Sequence, residues 1–374
     1  ELSSDVGATP QLFSVLLGLS GFYLTRGEVQ TADQIARQLL SLAEATGDDA
    51  IALGANNTAG MVGFYSGDLT TALAHLERAG RIYDPGRHSP SRLSTFALDH
   101  DPGVSCAAHT ALTLSALGLP ERARRSMDAC LAYARSVDHP LSLVMALNFA
   151  ASFFQEQRDH EHLAEVEEER HHLAVEHGFP LFLALGEIYA GWLDSCAGRG
   201  EEAIARIGGG LEVYRLVGAA LGTPTFLSIL AAALYDLGRR DEALEKLREA
   251  SGIAEQTGLH YWDAELRALQ GAFLLGPGGA SRGAAASGTE EEQAEACFLE
   301  AIAIARRQQS KRSELRAATH LARLWCGRGE AERGLELLGG VRGWYTEGAD
   351  TPDLRDADAL LTELGRSAER PSAR

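Results

Sequence analysis

The segment Leu237-Gly238-Arg239-Arg240-Asp241-Glu242-Ala243 decides the fold, because the chain keeps returning to it. Ala197-Gly198-Arg199 leads in the same way to Ala203, Gln157-Arg158-Asp159 to Leu163, and Ala116-Leu117-Gly118 to Ala123. Gly118, Arg158, Gly198 and Gly238 thus stand 40 residues apart, each followed five residues later by the first packing position of an amphipathic run. Gly27 with Ala32 and Gly67 with Ala72 repeat the device. A fixed period of this length marks stacked helical hairpins, in which small residues let two helices approach and larger apolar ones fill the groove to the next hairpin. The expected fold is all-α: a right-handed superhelical solenoid of about eight tetratricopeptide-like hairpins with a C-terminal capping helix. The family's period of about 34 residues is stretched here to about 40.

The units divide the chain into segments. N-terminal helical repeats occupy 1–84, with units at about 11–46 and 50–84. Asp84-Pro85-Gly86 opens a connecting loop, 85–102, whose Phe96 and Leu98 are expected to fold back onto the array. Central regular repeats fill 103–262, and Pro102, Pro140, Pro180 and Pro224 mark helix starts, where a missing N–H is harmless. C-terminal repeats follow at 263–343, interrupted by a low-complexity insertion, 276–289, expected to be a mobile excursion. A capping segment, 344–365, carries a helix from about Asp353 to Leu364, and 366–374 is expected to be a disordered tail.

Composition narrows the function. A net charge of −18 argues against nucleic acid or an anionic membrane as partner, since both need a positive surface. No apolar run approaches the ~18 residues of a membrane span, and no charged-then-apolar leader opens the chain. Cys106, Cys130, Cys196, Cys297 and Cys326 never form a C-x-x-C pair and read as small buried residues in a reducing, cytoplasmic compartment. The chain opens on Glu1 rather than Met and reads as a piece of a longer protein.

Catalytic chemistry finds no foothold. A phosphate-binding loop needs a Gly-Lys-Ser/Thr turn, and the only lysines, Lys246 and Lys311, stand in other contexts. Glu168, Glu169, His171 and His172 have the three-residue spacing of helical carboxylate metal sites, but no second Glu-x-x-His faces them, and the run reads as a solvated helix face. Cys106 and His109 lie one helical turn apart without a strand–turn–helix elbow, and read as core. His260-Tyr261-Trp262 reads as an aromatic interface cluster. The sequence therefore assigns no catalytic, cofactor or metal residue.

The expected working surface is the concave side, lined by the first helix of each hairpin. Counting back from each turn places Asn57, Phe64, Asn148, Ser152, Gln155, Trp192, Tyr235, Arg316 and Arg323 there. Mid-helix polar residues such as Asn148 reduce helix propensity and suit a partner or a wet groove, and aromatics beside them suit anchoring.

The closing third carries a further pattern: Ala294-Glu295-Ala296-Cys297-Phe298, Ala303-Ile304-Ala305-Arg306-Arg307-Gln308, Glu314-Leu315-Arg316-Ala317-Ala318-Thr319, Leu321-Ala322-Arg323-Leu324-Trp325, Gly343-Trp344-Tyr345-Thr346-Glu347-Gly348 and Thr351-Pro352-Asp353-Leu354. Earlier motifs agree: His100-Asp101-Pro102-Gly103-Val104, Glu176-His177-Gly178-Phe179-Pro180, Gly191-Trp192 and Asp263-Ala264-Glu265-Leu266. Over roughly 100–365 the chain resembles the C-terminal repeat region of bacterial proteins that join a class III adenylate/guanylate cyclase domain to a predicted STAND-type ATPase. Ala349 departs from the family's usual phenylalanine. The resemblance implies a non-catalytic sensor that binds a protein, a peptide or a small effector on its concave face, or docks the parent ATPase core, and it is compatible with self-association. An alternative is the inducer-sensing repeat domain of an ATP-dependent STAND-type transcription activator; a helical metal-dependent enzyme is the remote one.

Overall fold

The computed structural model describes residues 9–88, 100–276 and 288–368. Among them are eighteen α-helices and no strand. Eight hairpins follow one another: α1 (Thr9–Thr25) with α2 (Val29–Thr46), α3 (Asp49–Ser66) with α4 (Leu69–Ile82), α6 (Pro102–Ala116) with α7 (Pro120–Ser136), and α8 (Pro140–Glu156) with α9 (His160–His177). Then come α10 (Pro180–Cys196) with α11 (Gly200–Leu216), α12 (Thr223–Asp236) with α13 (Arg240–Thr257), α14 (Asp263–Leu275) with α15 (Gly288–Gln308), and α16 (Lys311–Gly327) with α17 (Ala331–Arg342). A four-residue α5 (Pro85–His88) follows the second hairpin, a single 3-10 turn (His260–Trp262) precedes α14, and α18 (Pro352–Ala368) closes the array.

The two helices of a hairpin differ because they sit in different layers. First helices are covered on several sides: all but two residues of α6 are buried. Second helices bury one stripe, as in α13 with Ala243, Leu247, Ala250 and Ala254. Close approach within a hairpin needs a small residue on the first helix. A β-carbon at Gly191 would lie 2.6 Å from Ile207 Cγ1 and 3.1 Å from the Ala203 carbonyl.

The period is finer than the 40-residue spacing. Left-handed backbone recurs every 20 residues, at Gly27, Gly47 and Gly67 and again at Arg158, Gly178, Gly198, Gly218, Gly238 and Gly258. Each helix-plus-turn is one beat. At the hairpin turns the helix ends in a Schellman arrangement, as where Arg239 N–H donates to Leu234 O (2.9 Å) and Asp159 N–H to Phe154 O (2.9 Å).

Leu354, Ala357, Leu360 and Leu364 of α18 are buried against α16 and α17, so the cap covers the last hairpin. The helix continues through Arg366, Ser367 and Ala368, which the sequence reading assigned to the tail; nothing in those residues stops a helix already docked through Leu364. The expected fold-back of Phe96 and Leu98 and most of the 276–289 excursion lie outside the described residues. Cys106, Cys130 and Cys297 are buried as expected, whereas Cys196 is exposed, because it falls on the last turn of α10, past the packed stripe. Among the described residues no helix is long and apolar enough to cross a membrane.

Candidate functional site

The superhelix is tight enough that its later half meets its earlier half edge to edge. Turns within the first four hairpins rest on loops between and after the later ones. Thr25 O accepts from Ala220 N–H (2.8 Å) and Leu221 N–H (3.2 Å). Phe64 packs on Tyr261 with ring centroids 4.1 Å apart. Glu347 Oε1 accepts from the N–H groups of Glu121 (3.0 Å) and Arg122 (3.1 Å), and Glu121 Oε1 accepts from Gly348 N–H (3.1 Å). The N-terminus of α7, whose own N-cap Leu119 offers no acceptor, is thus capped by a carboxylate more than 220 residues away in the chain.

Behind this seam lies a buried polar network. Tyr261 hydroxyl donates to Glu156 Oε2 (3.0 Å). Arg312 pairs with Glu156 Oε2 (2.7 Å) and donates to Ser115 Oγ (2.7 Å) and Tyr261 Oη (2.8 Å). Arg316 donates to Glu156 O, to Asp353 Oδ2 (2.8 Å) and to Glu265 Oε1 (3.2 Å). Arg158, which takes the turn glycine's place with φ of 57°, reaches Asp353 Oδ1 (3.0 Å) and Asp356 Oδ2 (2.8 Å). Burial works against the charge on Arg312, but Glu156 foremost outweighs it and raises the guanidinium pKa; Asp353 does the same for Arg316. Burial lowers His320 to about 4, helped by Arg323, so its imidazole is neutral at pH 7.

The network forms one side of a cavity of about 430 Å³ enclosed by α8, α10, α12, the Tyr261–Trp262 turn, α14, α16 and α18. Four acids line it, Glu156, Glu265, Asp353 and Asp356, and every one is ion-paired with Arg158, Arg312 or Arg316. Arg323 lines it as well, and no described residue pairs with its guanidinium. Three buried donors on residues of the same wall, Thr225 Oγ1, Trp262 Nε1 and Arg312 Nε, have no hydrogen-bond partner among the described residues and present no surface to the cavity itself. A larger groove of about 1080 Å³ lies along α9, α10 and α11, but its ionic groups satisfy one another, Arg206 bonding Glu187 (2.9 Å) and Asp194 (3.1 Å).

Of the residues expected on the working face, Gln155, Trp192, Arg316 and Arg323 meet in the 430 Å³ cavity. The others lie elsewhere. Asn57 is buried and donates weakly to Ser105 Oγ (3.4 Å). Phe64 is buried in the seam against Tyr261. Asn148 accepts from Arg170 (2.9 Å), a fully buried guanidinium paired with Glu167. Ser152 lies on α8, outside the cavity lining, and Tyr235 stacks on Phe273 at 4.1 Å. Glu156, Tyr261 and Arg312 were not singled out as site residues, and only the aromatic run at 260–262 and the arginine in a glycine's slot signalled that part of the site. Among the described residues no group of three His, Cys, Asp or Glu side chains could hold a metal ion.

No protein-family model matches the chain. It is 25% identical over 246 residues to an uncharacterized protein of Rhizobium meliloti (strain 1021), a match covering 66% of this chain and 24% of that protein. The chain therefore spans about a quarter of the length of the curated relative it matches. Among solved structures, it resembles a Rap protein complexed with competence and sporulation factor, with a TM-score of 0.58 at 10% identity over 96% of this chain and 99% of that one. It also resembles the Rap conjugation gene regulator of plasmid pLS20 in complex with the Phr* peptide, with a TM-score of 0.54 at 14% identity over 96% and 97%. Likeness at these identities is likeness of fold: the chain is an all-helical solenoid of tetratricopeptide type.

Proposed function

We propose that this chain is a non-catalytic regulatory module that takes a peptide, a protein segment or a small effector into the cavity inside its superhelix and reports occupancy to a larger signalling protein. One observation carries the reading. The cavity wall is built from both turns of the superhelix, with Gln155, Glu156 and Arg158 from the first and Arg312, Arg316 and Asp353 from the second. A ligand that touches both turns can favour one seam geometry over another, and such differential contact is the condition for switching. Small rotations between repeats then add along the stack. The resemblance of the closing motifs to cyclase–STAND ATPase proteins supports an ATPase or nucleotide cyclase as the element controlled, and the greater length of the relative leaves room for one. The peptide-bound state of one structural neighbour supports a peptide as occupant.

The test is a thermal-shift screen of short peptides and small effectors against wild type and Ala232→Trp, which places an indole in the cavity from α12. A ligand that stabilises wild type, leaves the variant unmoved and changes the scattering-derived dimensions supports the reading. Equal stabilisation of both proteins, or unchanged dimensions at saturation, refutes it.

A further inference from the structure

The cavity wall holds an arginine, Arg323, that none of its acids engages. Its four acids are all engaged by Arg158, Arg312 and Arg316, and among the described residues no acid pairs with the Arg323 guanidinium. A guanidinium that lines a cavity without a carboxylate partner is open to an anionic ligand. His320 beside Arg323 is held neutral and adds no competing charge. The indole of Trp192 supplies an apolar face in the same wall.

We infer that the cavity is an anion subsite: it takes a carboxylate-bearing ligand, whose anionic oxygens lie on Arg323 and whose apolar part lies against Trp192. This inference deepens the proposed function and rests on the cavity being the binding site. The planar guanidinium fits a carboxylate in a two-point contact that lysine cannot reproduce.

The experiment uses the twenty Nα-acetyl amino acids and their carboxamides as probes, titrated against the whole chain with thermal shift and tryptophan fluorescence as readouts. At least one acid should bind roughly 10-fold or more tightly than its amide. Arg323→Gln should abolish that preference and Arg323→Lys should restore it in part, with the unliganded melting temperature of each variant confirming the fold. The proposal is overturned if no acid is preferred to its amide, or if the preference survives Arg323→Gln. Inorganic phosphate serves as a further arm: displacement of the acid by phosphate at similar concentration makes the subsite a general anion site rather than a carboxylate site, which overturns the assignment of ligand class. Failure of the underlying reading looks different. Probes that bind Ala232→Trp as well as wild type place binding outside the cavity, whereas acids and amides that bind wild type equally and lose to Ala232→Trp keep the cavity and remove only its anion preference.

Discussion

Gly118 and Gly198 occupy the same place in two hairpins, with φ of 80° and 77°, yet their surroundings differ completely. A β-carbon at Gly198 meets nothing within 4 Å, whereas one at Gly118 would lie 2.6 Å from Lys311 Cβ, 2.8 Å from Trp344 Cζ3 and 3.1 Å from Tyr345 Cε1. Alanine at either position carries the left-handed backbone penalty of about 1–2 kcal/mol. Because the torsions match, that penalty cancels in the difference between the two variants. What remains is overpacking of the seam, about 1–3 kcal/mol for a methyl forced into a filled contact. Gly118→Ala is therefore expected to be less stable than Gly198→Ala by that amount in urea titrations followed by far-UV circular dichroism. Amide exchange around Lys311 and Trp344 should also quicken in Gly118→Ala alone. Equal losses, within about 0.5 kcal/mol, with unchanged exchange at Trp344, would refute the claim that the two turns of the superhelix are packed against each other.

Three further outcomes follow from the same structure. Glu156→Gln leaves the buried Arg312 without its carboxylate and should destabilise by about 3–5 kcal/mol in urea, whereas Glu156→Leu with Arg312→Met should recover most of it; a double variant no better than the single one would contradict this. His109 is fully buried, and burial lowers its pKa to about 4, so between about 6.5 and 4 the unfolded chain binds a proton that the folded one does not. Its share of stability is present above pH 6.5 and is lost as pH falls, amounting to about 2 kcal/mol between pH 6.5 and 5, and denaturation of wild type beside His109→Gln should show the variant's pH dependence flatter by that amount. At Arg158, glycine relieves the backbone while losing the ion pairs to Asp353 and Asp356, and alanine loses the pairs without relief. Arg158→Gly should match wild type within about 0.5 kcal/mol and exceed Arg158→Ala by about 1 kcal/mol; an alanine variant as stable as the glycine one would show that the turn carries no strain.

The hairpins were legible because their cause is local. A helix of fixed length must end in a residue that tolerates left-handed backbone, and Gly198, Gly238 and their relatives mark those ends in plain view. The seam was not legible, because it depends on the accumulated rotation of several repeats, a quantity no single repeat displays. Arg158 illustrates the boundary: its presence in a glycine's slot is visible in the sequence, while Asp353 and Asp356, the partners that account for it, stand about 200 residues on. The same limit explains the working face. Counting back from a turn locates the inner side of a helix, and Gln155, Trp192, Arg316 and Arg323 reach the cavity by that rule. Phe64 obeys the same count yet meets Tyr261 of the next superhelical turn, and Tyr235 finds Phe273 of the adjacent hairpin.

The reciprocal bonds between Glu121 and Glu347 bear on how the protein is made. A ribosome adding about 5–20 residues per second releases the first turn of the superhelix roughly 10–45 s before Glu347 exists to cap α7. Until Tyr261 is made the nascent chain carries a finished edge with no counterpart, and Phe64, buried in the final fold, lacks the ring it packs on. The protein's most vulnerable moment is thus a half-made one, and its early hairpins must be stable enough to wait.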